Sequence, residues 1–117
     1  MPESRTGQST SLIFSEFAND PDMVELIQQF VGELPTRAEA ILGAWRAGKF
    51  AEAQTVAHQL KGASAGYGFG VIGLAASRVE AGLRGRSIEQ IETDTERIDA
   101  EIRQLADLCR RATAATP

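Results

Sequence analysis

One cysteine, Cys109, and one histidine, His58, are all that this chain of 117 residues contains of the two side chains most used for covalent bridging and transition-metal binding. A lone thiol cannot close an internal disulfide, so nothing points to an oxidising compartment. A lone imidazole with no Cys, Asp or Glu three or four residues on supplies no ligand set, and no metal site is expected. Long apolar runs are also missing, which excludes a bilayer-spanning segment. The opening "MPESRTGQST" is polar and lacks the hydrophobic region of a secretory signal, so a cytoplasmic location is expected. Nor is there an excess of basic residues: 12 Lys and Arg against 16 Asp and Glu give a net charge of −4. Phosphate-backbone binding needs a concentrated basic surface, so nucleic acid is not expected as a partner.

Sustained period-two alternation is absent as well, while apolar residues recur at spacings of three and four through most of the chain. "SLIFSEFA" reads as a short first helix or turn. Asp20 is a good N-cap, and Pro21 then falls at a first helical position, where its missing N–H does no harm. The helix that follows carries Met23, Leu26, Ile27, Phe30, Val31, Leu34, Ala38, Ile41, Leu42 and Trp45. Pro35 lies inside it and predicts a kink or break near Leu34. A helix from about 50 to 66 comes next, then the glycine-rich "GYGFG", then a helix from about 71 to 84.

Ser87 and Gln90 form a capping box that opens a last helix, whose seam is Ile88, Ile91, Ile98, Ile102, Leu105 and Cys109. Short connections between long helices imply antiparallel neighbours. The expected fold is therefore all-α: an up-down-up-down four-helix bundle over 11–111 with a short extra N-terminal helix. Residues 1–10 and 112–117 read as flexible ends. Trp45 and Phe50 are expected to cover one end of the bundle, and Tyr67 and Phe69 the other. Cys109 reads as a small core residue.

On a helical wheel of 50–66, Ala53, Val56, Leu60 and Ala63 fall opposite His58 and must face the core. His58 points outward among Ala51, Gln54, Thr55, Lys61, Gly62 and Ala65. Lys61 sets an ammonium one turn away, and Gly62 removes the side chain that would crowd the ring. Such an imidazole suits an encounter with another macromolecule and with an anion. A phosphoryl group on the ring needs a neutralising charge, which Lys61 can supply, and open space, which Gly62 and the alanines leave.

"AHQLKGASAGYGF" followed by "GLAASRVE" resembles the histidine-containing phosphotransfer (HPt) domains of two-component phosphorelays. The motif of that family, His-x-x-Lys-Gly with a small residue two positions later and a glycine-containing end, is matched by His58, Lys61, Gly62, Ser64 and Gly68. The resemblance extends over about residues 11–110. It implies that Nε2 of His58 accepts a phosphoryl group and passes it to or from an aspartate of a response-regulator receiver domain, or takes it from a sensor histidine kinase. Related domains carry Gln or Glu at the position of Glu80, which would accept a hydrogen bond from Nδ1–H and fix the tautomer.

Gly73, Ala76 and Ser77 lie on the Glu80 side of their helix and would let it approach closely. Ala51, Gln54, Thr55, Ser64 and Ala65 are the expected partner-contacting residues. Lys49 departs from the Asp or Asn that many relatives place at the N-cap of the histidine helix. No cofactor is expected on the chain, any Mg2+ being held by the receiver, and the chain is expected to be a monomer. Nucleotide-binding glycine motifs are missing, so the chain reads as a carrier and not as a kinase. The alternatives are a non-phosphorylated module that binds response regulators, and a hydrolase using His58 as general base in a deep pocket.

Overall fold

The computed structural model describes residues 11–117; the expected flexible segment 1–10 lies outside them. Five α-helices run through these residues: α1 (Val24–Arg46), α2 (Phe50–Ser64), α3 (Gly70–Leu83), α4 (Ile88–Thr93) and α5 (Thr95–Arg111). Helix α1 packs on α2 and α5, and α3 packs on the same two, which makes a helical bundle. Its core is one cluster in which Ile27, Leu34, Ile41, Leu60, Phe69, Ile72, Ile98, Ile102 and Leu105 are almost completely enclosed.

Several local expectations change. "SLIFSEFA" is not a helix: Ile13–Phe14 form a strand, β1, that pairs in parallel with β2, Ala112–Thr113. The two residues after α5 are therefore held and half-buried, not frayed. Helix α1 starts at Val24 and not at Pro21. Asp20 spends its capping capacity on a tight turn instead, its Oδ1 accepting the Asp22 N–H at 2.9 Å and its carbonyl the Met23 N–H at 2.9 Å.

Pro35 does not break α1, which continues to Arg46. The proline sits on the exposed face, where a carbonyl that loses its partner can turn to water, while Leu34 and Ala38 beside it are fully buried. The last helix, expected as one, is divided at Asp94. Thr93 and Thr95 turn their hydroxyls onto the carbonyls of Glu89 and Glu92, both at 2.9 Å, and Asp94 is drawn out by Arg86 at 2.6 Å and Arg97 at 3.0 Å. These side-chain bonds compete with the helical ladder at that point.

The two ends of the histidine helix are closed as expected. Tyr67 and Phe69 stack on Phe30 with ring centroids 4.6 and 5.9 Å apart, and Trp45 lies 5.4 Å from Phe50. The Trp45 indole N–H also donates to Asp99 Oδ1 at 2.8 Å, tying α1 to α5. Burial pushes the Cys109 thiol up to about 12, so it behaves as a small apolar core group.

Candidate functional site around His58

Helix α2 is amphipathic in an unusual way, because two of its sides meet neighbours. Its buried residues are Ala53, Ala57, Leu60 and Ser64, with Val56 and Ala63 half-buried. Thus the buried stripe is rotated from the expected one towards α3, where small side chains let the two helices close. A Cβ placed on Gly73 would lie 3.7 Å from the Ser64 Cβ and from the Lys61 carbonyl, so any larger side chain there would push α3 away. Ser64, expected on the partner-contacting surface, is completely buried at this crossing and cannot reach a partner. Ala51, Thr55, Gly62 and Ala65 are exposed and Gln54 is half-exposed.

Past Ser64 the helix tightens into a 3-10 turn, Ala65–Tyr67, and stops at Gly68, whose φ is +88°. Only glycine fits there, since a Cβ would stand 2.2 Å from Ser15 Oγ. Ser15 is itself buried, donating its hydroxyl hydrogen to the Tyr67 carbonyl at 2.7 Å. At its other end α2 begins after Lys49, which makes no side-chain cap; only its carbonyl serves the helix, accepting the Ala53 N–H at 3.1 Å.

His58 keeps 66% of its side chain exposed, yet its Nδ1 stands 2.7 Å from Oε2 of Glu80 on α3. Oε1 of the same carboxylate accepts from Lys61 Nζ at 3.2 Å. Glu80 is therefore forked between His58 and Lys61 of α2, while being almost wholly buried itself. Burial alone would raise its pKa; the hydrogen bonds from His58 and Lys61 outweigh it and hold the carboxyl below the usual range. A carboxylate can only accept, so Nδ1 carries a ring proton, and Nε2 is the ring nitrogen turned away from Glu80.

The ring opens onto a shallow depression of about 280 Å³ lined by Gln54, Thr55, His58, Glu80 and Arg84. It is not the deep pocket that a hydrolase would show. Arg84 escaped the sequence reading, although it lies four residues past Glu80 and so on the same helix face. Beyond Gln59, a second groove of about 250 Å³ between α1 and α2 is lined by Leu26, Phe30, Leu34, Arg37 and Tyr67 among others, and Arg37 bonds to Gln59 across it. Among the described residues no group of three or more His, Cys, Asp or Glu side chains is placed to hold a metal ion. No helix among them is long and apolar enough to cross a membrane.

Compared with known families, residues 25–112 match the model of the Hpt domain, which takes in α1 from its second residue, α2 to α5 and the first residue of β2. The chain belongs to the Hpt domain family, whose members carry a phosphoryl group on histidine in two-component phosphorelays. Neither a curated protein nor a solved structure matches it.

Proposed function

We propose that His58 is the phosphoacceptor, and that the chain exchanges phosphoryl groups with the aspartate of a response-regulator receiver domain or takes them from a sensor histidine kinase. The observation that carries this reading is the bond between His58 Nδ1 and Glu80, which leaves Nε2 as the exposed nucleophile. In the transfer from an aspartyl phosphate, the Nε2 lone pair forms a bond to phosphorus. The P–O bond breaks, and its electron pair leaves with the aspartate carboxylate. Nδ1 keeps its proton, so the ring becomes cationic, and that charge faces the buried Glu80 carboxylate. In the reverse direction the N–P bond breaks and its pair returns to Nε2.

The antiparallel up-down-up-down arrangement belongs to the same reading. Trp45 meets Asp99 while Glu39 meets Arg110, and His58 meets Glu80 while Lys61 faces Gly73, so later residues of one helix meet earlier residues of the next. Gln54, Thr55, Ala51 and Ala65 form the rim on which a receiver docks, with no side chain bulkier than glutamine to obstruct it. The chain supplies no cofactor, and any Mg2+ the transfer uses sits on the receiver. It acts as a monomer in the cytoplasm.

The test is incubation with an active sensor kinase and ATP, or with a phosphorylated receiver. An acid-labile, base-stable label that vanishes in His58→Gln is the expected result. Failure to label with any cognate partner would overturn the reading and favour a module that only binds response regulators.

A further inference from the structure

We infer that Arg37 helps to choose the receiver. Its guanidinium takes a surface carboxylate of the incoming domain, while an apolar side chain beside that carboxylate fills the groove between α1 and α2. The inference rests on the carrier reading and adds a selecting residue outside the phosphoryl site. Its starting point is a comparison of arginines. Among the described residues three are half-buried: Arg37, Arg86 and Arg111. Arg86 meets Asp94 at 2.6 Å, and Arg111 meets Asp107 at 2.9 Å. Among the same residues Arg37 meets no carboxylate, and its one partner is the neutral amide oxygen of Gln59. Glu33 lies one turn earlier on α1, a spacing at which glutamate and a cation commonly pair, yet the guanidinium turns to α2 instead.

A guanidinium that has lost part of its water and gained only a neutral acceptor still has charge to satisfy. Gln59 occupies one of its N–H groups, which leaves the rest of the planar fork for a carboxylate. The groove beneath is apolar at its floor, where Phe30, Leu34 and Leu60 are buried, and Leu26 stands exposed at its edge. Its volume of about 250 Å³ falls short of the roughly 300–1,000 Å³ of small-molecule pockets and suits a side chain. An apolar anchor in a pocket with a polar rim around it is how protein partners commonly dock. Position names the partner. Gln59 follows His58 by about 100° of helical turn, and Ala63 follows Gly62 likewise, so the groove adjoins the imidazole face. A domain that brings its aspartate to Nε2 therefore comes down over Arg37 as well.

The test separates docking from chemistry. The intact chain would first be phosphorylated with phosphoramidate, the N–P bond to Nε2 forming as the donor's P–N bond breaks and ammonia leaves. The label would then be chased onto purified receiver domains, and the fastest acceptor taken for rates measured against receiver concentration. With Arg37→Glu, transfer at limiting receiver should slow by about tenfold or more and recover at saturation. Arg37→Gln should slow it less, and Arg37→Lys least. Added salt should slow the unaltered chain more steeply than Arg37→Gln. Replacing the matching receiver carboxylate by lysine should restore transfer with Arg37→Glu, a rescue that a merely structural arginine would not give.

Rates that match the unaltered chain at every receiver concentration overturn the inference. So does a slowing that persists at saturation, or one that no receiver lysine rescues. A dimer of the unaltered chain that Arg37→Glu dissociates, with transfer unmoved, puts a second copy in the groove and overturns it too. A chain that phosphoramidate leaves unlabelled at His58, or that gives its label to no receiver, overturns the carrier reading itself. That failure is distinct from a labelled chain whose Arg37 variants transfer normally.

Discussion

Glu80 and Asp94 are built alike and used differently. Each is a carboxylate forked between two nitrogen donors: Glu80 between His58 and Lys61, Asp94 between Arg86 and Arg97. In both, the pKa lies below the ordinary value. For Asp94 the leading cause is the hydrogen bond from Arg86; for Glu80 burial opposes the shift and the bonds to His58 and Lys61 prevail. The difference lies in the partners. Arginine keeps its charge at any pH the fold meets, and Arg86 also donates to the Gly82 and Gln90 carbonyls at 3.1 and 3.2 Å, which makes a fixed staple across the α3–α4 turn. His58 is two-thirds exposed, so the Glu80 fork is anchored on its buried side and open on the other.

The largest expected separation is in transfer rate. Glu80→Ala should slow phosphoryl transfer to a receiver by about 10–100-fold, as loss of an orienting partner does elsewhere, whereas Asp94→Ala should leave the rate unchanged. Equal slowing in both variants would erase the distinction. Glu80→Gln should fall between, since its amide oxygen still accepts from Nδ1 but no longer offsets the ring charge; rapid-quench assays would read both. Melting temperature should rank the sites the other way for Asp94→Ala, which loses the turn staple and should melt a few degrees lower by circular dichroism.

Acid sharpens the comparison further. Because both folded carboxyls titrate below their ordinary values of 4.5 and 3.8, their contributions are present above those values and fade as pH falls through the lower folded ones. Glu80→Gln removes one of those groups, so its acid-unfolding curve should be shallower below pH 4.5. Salt should give the smallest effect: the half-buried Arg86–Asp94 pair is only partly screened, and added salt should lower the melting temperature slightly, an effect that Asp94→Ala abolishes.

Residues whose role depends on their own helix were legible in advance. The Ser87–Gln90 capping box forms as the sequence indicates, with both bonds made, and His58 faces outward as its wheel position requires. The pairing of His58 with Glu80, given by family resemblance, is also found. What escaped depends on neighbours far along the chain. Ser64 looks like a surface residue until α3 covers it, and Asp94 looks like a mid-helix acid until Arg86 reaches it. Ile13–Phe14 carry no alternation that marks a strand, because two residues are too few for a period and their partner is at the other end of the sequence.

That strand pair bears on the order in which the molecule comes apart. Joining Ile13 to Ala112 closes a loop of about a hundred residues for very few hydrogen bonds, an entropically poor bargain for so short a ladder. The join should therefore form last during folding and open first in the native state. Its amides should exchange with deuterium well before those of α3, without the main bundle unfolding. His58 and Glu80 sit on α2 and α3, so this breathing at the chain ends leaves their hydrogen bond in register.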